Sequence, residues 1–193
     1  LSKDLSTLLL LSLLIILIVY YVSFRAKRAM IIPFTLSLIG IVWTLGLMSL
    51  FGFHMTIINV ITPCLVLTLG SSYSIHVLTE YYQSYRDGHE DYIGNSVTRI
   101  GKTIFLACIT DVIGFLSLLT AQTDAFREFG ISVSLGVTIC ALLSVTYLPA
   151  VLTVTIAPQS HQMKIYREGY ITRIIDRIAR IVTEKWPYFL SII

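Results

Sequence analysis

Charge is scarce in this sequence. Fourteen Lys and Arg and eleven Asp and Glu are spread over 193 residues, while 55% of the chain is hydrophobic and the mean hydropathy is +0.81. A water-soluble domain needs roughly twice that share of charge, so the solvent for most of this surface is a bilayer. Cysteine is almost as sparse. Cys64, Cys108 and Cys140 all fall inside apolar runs and none forms a C-x-x-C pair, which excludes a disulfide framework and a thiolate zinc site and leaves three small buried hydrophobes. Among the five prolines, Pro63 and Pro149 lie within apolar runs and are expected to kink them. No paired buried carboxylates, nucleophile motif or metal cluster is present, so an intramembrane enzyme is not expected, and neither a cofactor nor a metal ion is called for. No cleavable signal is visible, because the first apolar run follows Asp4 and is long enough to span.

What is there is length of apolar run. Crossing about 30 Å of hydrocarbon takes about 20 helical residues, and such runs occur near 5–24, 31–52, 58–80, 103–121 and 130–156. The expected fold is therefore all-α: a polytopic membrane bundle of five transmembrane helices over residues 1–157. Basic residues mark alternate connections. Arg25, Lys27 and Arg28 follow the first run, Arg86, Arg99 and Lys102 the third, and Lys164, Arg167, Arg173, Arg177, Arg180 and Lys185 the fifth, leaving only Lys3 and Arg127 on the other side. The positive-inside rule then places the N-terminus outside and the tail in the cytoplasm.

The outer connections are "FGFHM" and "AQTDAFREFG", both short. The inner segment "QSYRDGHEDYIGNSVTRIG" predicts a turn at Asp87-Gly88 and then an amphipathic helix on the membrane surface; its "HED" lacks the second His of a zinc motif and reads as a solvated charged loop. Residues 158–185 read as a cytoplasmic amphipathic linker. Within it Ile171, Ile174, Ile175, Ile178, Ile181 and Val182 share one helical face and Arg173, Arg177 and Arg180 the other, the pattern of a helix lying in an anionic leaflet or packed on another cytoplasmic domain. "WPYFLSII", residues 186–193, begins a sixth apolar stretch, so the chain is expected to be a segment of a larger protein.

One carboxylate interrupts the apolar pattern. Asp111 lies in the middle of "FLACITDVIGFLSLL", about 13 Å along the helix from Lys102, at a depth where a carboxylate costs about 2.5–3.5 kcal/mol and faces protein rather than lipid. The third run carries its polar centre, "GSSYS" from Gly70 to Ser74, at the same depth. Gly70, Ser71 and Ser74 are small residues that permit close helix approach, and Thr110 and Gly114 offer a matching stripe beside Asp111. Ser71, Ser72, Tyr73 and His76 add hydrogen-bonding groups. Asp111 with these four is a candidate proton relay, since burial moves carboxylate and imidazole affinities for protons toward each other. The competing reading makes Asp111 an interhelical tie and no more.

At these residues the sequence resembles the resistance-nodulation-division superfamily of transporters, and within it the MMPL and hopanoid-exporter-like branch, whose helices share the sterol-sensing-domain arrangement. The likeness runs through "NVITPCLVLTLGSSYSIHVLTEYYQSYRDG", "RIGKTIFLACITDVIGFLSLL" and "FREFGISVSLGVTICALLSVTYLPAVL". It implies that the five spans are helices two to six of one half, that a large extracytoplasmic domain precedes them and that a seventh helix follows the linker. It also implies a proton-motive-force-driven exporter of lipids or other hydrophobic compounds, in a bacterial inner membrane, with membrane lipids, protons, the hydrophobic substrate and the second half of the transporter as partners. A homo-oligomer is compatible with this, and no nucleic acid is expected. Family members carry a proton-coupling Asp in the stretch G-x-D-Y-x-I-H. Here Gly70, Tyr73, Ile75 and His76 match, but Ser72 stands where that Asp would be, and Asp111 occupies a position more often small or hydroxylated. Either the carboxylate has moved to the facing helix at the same depth, or this half has lost coupling and the proton site lies in the second half of the transporter; a sterol-sensing-like lipid-binding or scaffold domain without proton coupling is the alternative function.

Overall fold

A computed structural model describes residues 27–54, 56–88 and 91–154, together with six helical positions of the first apolar run (7, 10, 11, 14, 15 and 18). Among the described residues all regular structure is helical. Among these described residues four helices are long and apolar enough to cross a membrane. Apart from those six positions, the first expected span lies outside the described residues, as do the linker at 158–185 and the stretch at 186–193.

The four are α1 (Lys27–Leu50), α2 (Thr62–Arg86), α3 (Tyr92–Leu116) and α4 (Asp124–Val154), corresponding to the second to fifth apolar runs. Short connections return each helix alongside its predecessor, and α4 packs against all three others. The core between them is aliphatic and tight, with Leu36, Val66, Val77, Val133, Val137 and Leu148 inaccessible or nearly so. Outward-facing residues remain apolar. Val42, Trp43, Phe105, Leu106 and Ile113 are each more than 60% exposed, as lipid-facing side chains are.

Three boundaries differ from the expectation, each for a local reason. Pro63 does not kink the middle of α2: it stands in the first turn, after a 3-10 turn at Asn59–Ile61, where its missing N–H has no intrahelical partner to lose. Pro149 does lie inside its helix, α4, and Pro33 inside α1. No separate surface helix follows the inner turn. Gly88 makes that turn at φ +76°, Asp91 caps the next helix by accepting a 2.9 Å hydrogen bond from the Gly94 N–H, and α3 then runs unbroken from Tyr92 into the apolar span. Asp91, read in sequence as part of a solvated loop, is thus a helix cap. Likewise the outer "AQTDAFREFG" connection is mostly helix, since α4 starts at Asp124, an acidic residue where the helix dipole favours one.

Candidate functional site

The polar centre is built by α2 and α3. At 100° per residue, Gly70, Ser71, Tyr73 and Ser74 are buried on α2, whereas Ser72 and His76, one turn apart, lie on its exposed side together with Thr68. Tyr73 is 4% exposed and reaches across to α3, where its hydroxyl donates a 2.6 Å hydrogen bond to Asp111 Oδ2. Asp111 is itself half-buried. Beside it, Thr110, Asp111, Gly114, Phe115 and Leu118 line a groove of about 360 Å³ that leads from the carboxylate toward the end of the bundle where α2 and α4 begin. The arrangement holds a carboxylate between a buried phenol and an accessible groove. Such a group can exchange a proton with whatever fills the groove while the phenol fixes its position.

The serines do less than expected. Ser71 donates to the Thr68 carbonyl at 2.7 Å and Ser74 to the Gly70 carbonyl at 2.9 Å, while Thr110 donates to the Ala107 carbonyl at 2.8 Å. These hydroxyls are folded back onto their own helices, as small residues in apolar surroundings commonly are. Ser72 and His76 are not bonded to Asp111 and point away from the bundle. Of the five relay candidates, the structure brings Asp111 and Tyr73 into direct contact.

The close-approach stripe also differs. A Cβ on Gly114 would meet nothing within 4 Å, and Thr110 is exposed, so the pair does not receive the Gly70 face. Gly70 instead faces α4 and α1: a Cβ there would come within 2.8 Å of Cys140 Sγ and 3.4 Å of Ser37 Oγ. The same Cys140 sulfur occupies the space in front of Gly40 on α1, and Gly136 makes room for Val66 and Thr44 in the same way. Cys140 is therefore a packing residue at a three-helix junction, fully buried, and Cys108 is buried as well while Cys64 is half-buried. Sequence spacing gave the depth of these small residues but not the direction in which they point.

Two polar ties escaped the sequence reading. At the end of the bundle where α2 begins, the fully buried Asn59 donates through Nδ2 to the His54 carbonyl at 2.8 Å and to Glu128 Oε2 on α4 at 3.2 Å. At the opposite end, Arg99 on α3 lies 3.2 Å from Glu80 on α2, next to a cluster of edge-to-face rings formed by Tyr81, Tyr82, Tyr85 and Tyr92. The signal was available in both cases, because each residue is polar and lies within or a few residues from an apolar run. Among the described residues no three His, Cys, Asp or Glu side chains converge as a metal site would require.

With this geometry in view, comparison with known proteins is decisive on kinship. The model of the MMPL family matches residues 1–187. The chain belongs to the MMPL family. This MMPL chain is 31% identical over 147 residues to a putative membrane protein of Methanocaldococcus jannaschii, an overlap of 75% of the chain and 37% of that protein. It is 26% identical over 150 residues to the probable transport protein MmpL12 of Mycobacterium tuberculosis, covering 75% of the chain and 13% of the relative. It is also 27% identical over 143 residues to the heme uptake protein MmpL11 of the same organism, covering 72% and 15%. The chain thus spans little more than a third, or less, of the length of these relatives.

Proposed function

We propose that this MMPL chain is transmembrane machinery of a proton-driven exporter of lipids or other hydrophobic compounds, with Asp111 as the titrating group. The observation that carries the reading is the 2.6 Å bond from Tyr73 to Asp111 at the edge of an open groove. A carboxylate in mid-span is costly unless it is used or paired, and this one is paired on one side and accessible on the other. The relocation reading of the sequence gains support from this placement, because the carboxylate has kept its phenol partner while changing helices. Ser72, at the position of the family's usual Asp, is exposed on α2 with Thr68 and His76. A polar stripe facing hydrocarbon would be unfavourable, so this face is where the second half of the transporter packs, consistent with the greater length of the relatives.

In this scheme protons descending from the extracytoplasmic side enter through the groove lined by Thr110 and Gly114 and protonate Asp111. Neutralisation weakens the charge-assisted bond to Tyr73 and changes the balance of the α2/α3 interface, which is the link to movement of the extracytoplasmic domains. The alternative, a sterol-sensing-like lipid-binding or scaffold domain without proton coupling, draws on the Ser72 replacement. The two separate on Asp111→Asn in the full-length protein. Loss of proton-dependent efflux at normal membrane levels supports the exporter; full efflux by the Asn variant leaves Asp111 as a tie between helices.

A further inference from the structure

Glu80 is a second carboxylate on the face of α2 that holds Tyr73, and the relay just described does not use it. Seven residues at 100° each bring it to within about 20° of Tyr73 around the helix and about 10 Å further along it, toward the turn at Asp87-Gly88. Both groups address α3, Tyr73 through Asp111 and Glu80 through Arg99. The Glu80 side chain is only 16% exposed. Its Oε1 is buried and accepts no hydrogen bond, although it lies 3.2 Å from Arg99, because the guanidinium N–H does not point at it. An electrostatic partner without a hydrogen bond leaves a buried oxygen with an open site for a proton.

Between the two tied pairs the interface is apolar. Val77 on α2 and Ile104 and Cys108 on α3 fill it and are 1%, 2% and 9% exposed, so no proton passes through the interface itself. One titratable group bridges the gap from the side: His76 is three residues beyond Tyr73 and four before Glu80, on the exposed shoulder of α2.

We propose that Glu80 is the inner end of the proton path from Asp111, with His76 as the carrier that takes the proton around the Val77 and Ile104 plug. This rests on Asp111 being the titrating group. The proton leaves the Asp111 carboxyl for the His76 imidazole through water held in the seam between this shoulder and the second half of the transporter, and His76 passes it to the Glu80 carboxylate. Glu80 then releases it beside Arg99 on the side expected to be cytoplasmic, so one proton is carried through and each carrier returns to its starting state. The charged group that faces Glu80 is Arg99 from α3, 3.2 Å away.

The test is proton flux into proteoliposomes holding the full-length protein under an imposed pH gradient, at equal reconstituted amounts, for the parent, Glu80→Gln, Arg99→Gln and Asp111→Asn. Glu80→Gln is expected to slow flux by about tenfold or more, with recovery when imidazole is added as a mobile proton carrier, while Arg99→Gln keeps at least the parental order of magnitude. Asp111→Asn is expected to abolish flux with no recovery. Parental flux in Glu80→Gln alongside loss in Asp111→Asn overturns the role of Glu80 and leaves the Asp111 reading standing. A slow Glu80→Gln that imidazole does not rescue, or an equal loss in Arg99→Gln, makes the pair a structural tie and also overturns it. Undiminished flux in Asp111→Asn would remove the reading on which the proposal rests.

Discussion

Tyr73 on α2 donates a 2.6 Å hydrogen bond to Asp111 on α3, so this mid-span carboxylate is held by a phenol that is itself 4% exposed. Removing the phenol oxygen isolates the carboxylate. Tyr73→Phe should lower the stability of the full-length protein in detergent by about 1.5–3 kcal/mol, the range for a hydrogen bond to a charged group, and weaken transport without abolishing it. Thermal unfolding together with an efflux assay checks both halves. Unchanged stability would mean that the bond contributes nothing to the interface.

Cys140 lodged between Gly40 and Gly70 gives a sharper packing prediction. Gly70→Ala forces a methyl group against the sulfur and should cost about 1–3 kcal/mol, as overpacking does, whereas Gly114→Ala meets open space and should be neutral within about 0.5 kcal/mol. Combining Gly70→Ala with Cys140→Ala should recover part of the loss. The double-mutant coupling measures this directly, and additive losses would place the strain elsewhere.

The Asn59 tie to Glu128 and to the His54 carbonyl joins the start of α2 to the start of α4. Asn59→Leu leaves a carboxylate oxygen and a carbonyl without that donor, so a loss of about 1–3 kcal/mol is expected. The combination with Glu128→Gln should cost less than the sum of the two single changes, which denaturation of the variants in matched detergent would reveal.

Orientation is testable at the turn between α2 and α3. Asp87 caps α2 and is partly exposed, so Asp87→Cys in a background lacking the native cysteines should react with a membrane-impermeant thiol reagent only from the cytoplasmic side. Reaction from the extracytoplasmic side would invert the topology, and with it the entry and exit ends of the path proposed above.

Much of this arrangement was legible in the sequence because bilayer thickness translates directly into apolar run length. Four of the expected spans correspond to α1 through α4, and counting residues from each membrane boundary placed Asp111 level with Tyr73. Rotation about the helix axis was not legible in the same way. Depth depends on a residue count, but the direction of Gly70 depends on which neighbours fill the grooves around α2, and those lie on α1 and α4 rather than at Thr110 and Gly114. For the same reason Ser71 and Ser72 read as relay members by composition, yet Ser71 bonds to a carbonyl of its own helix and Ser72 lies on the exposed side of α2. Composition also hid the start of α3, since polar residues at Asp91 to Lys102 suggested a surface helix, whereas an N-cap at Asp91 starts one helix that continues into the span.

The central claim is that Asp111 titrates in place beside Tyr73, and infrared difference spectroscopy of the full-length protein between acid and alkaline pH observes it most directly. A protonated carboxyl has its own carbonyl stretching band. The account predicts a pH-dependent carboxyl band that is absent from Asp111→Asn and displaced in Tyr73→Phe, where the hydrogen bond is gone. Identical difference spectra for the parent and Asp111→Asn would contradict it.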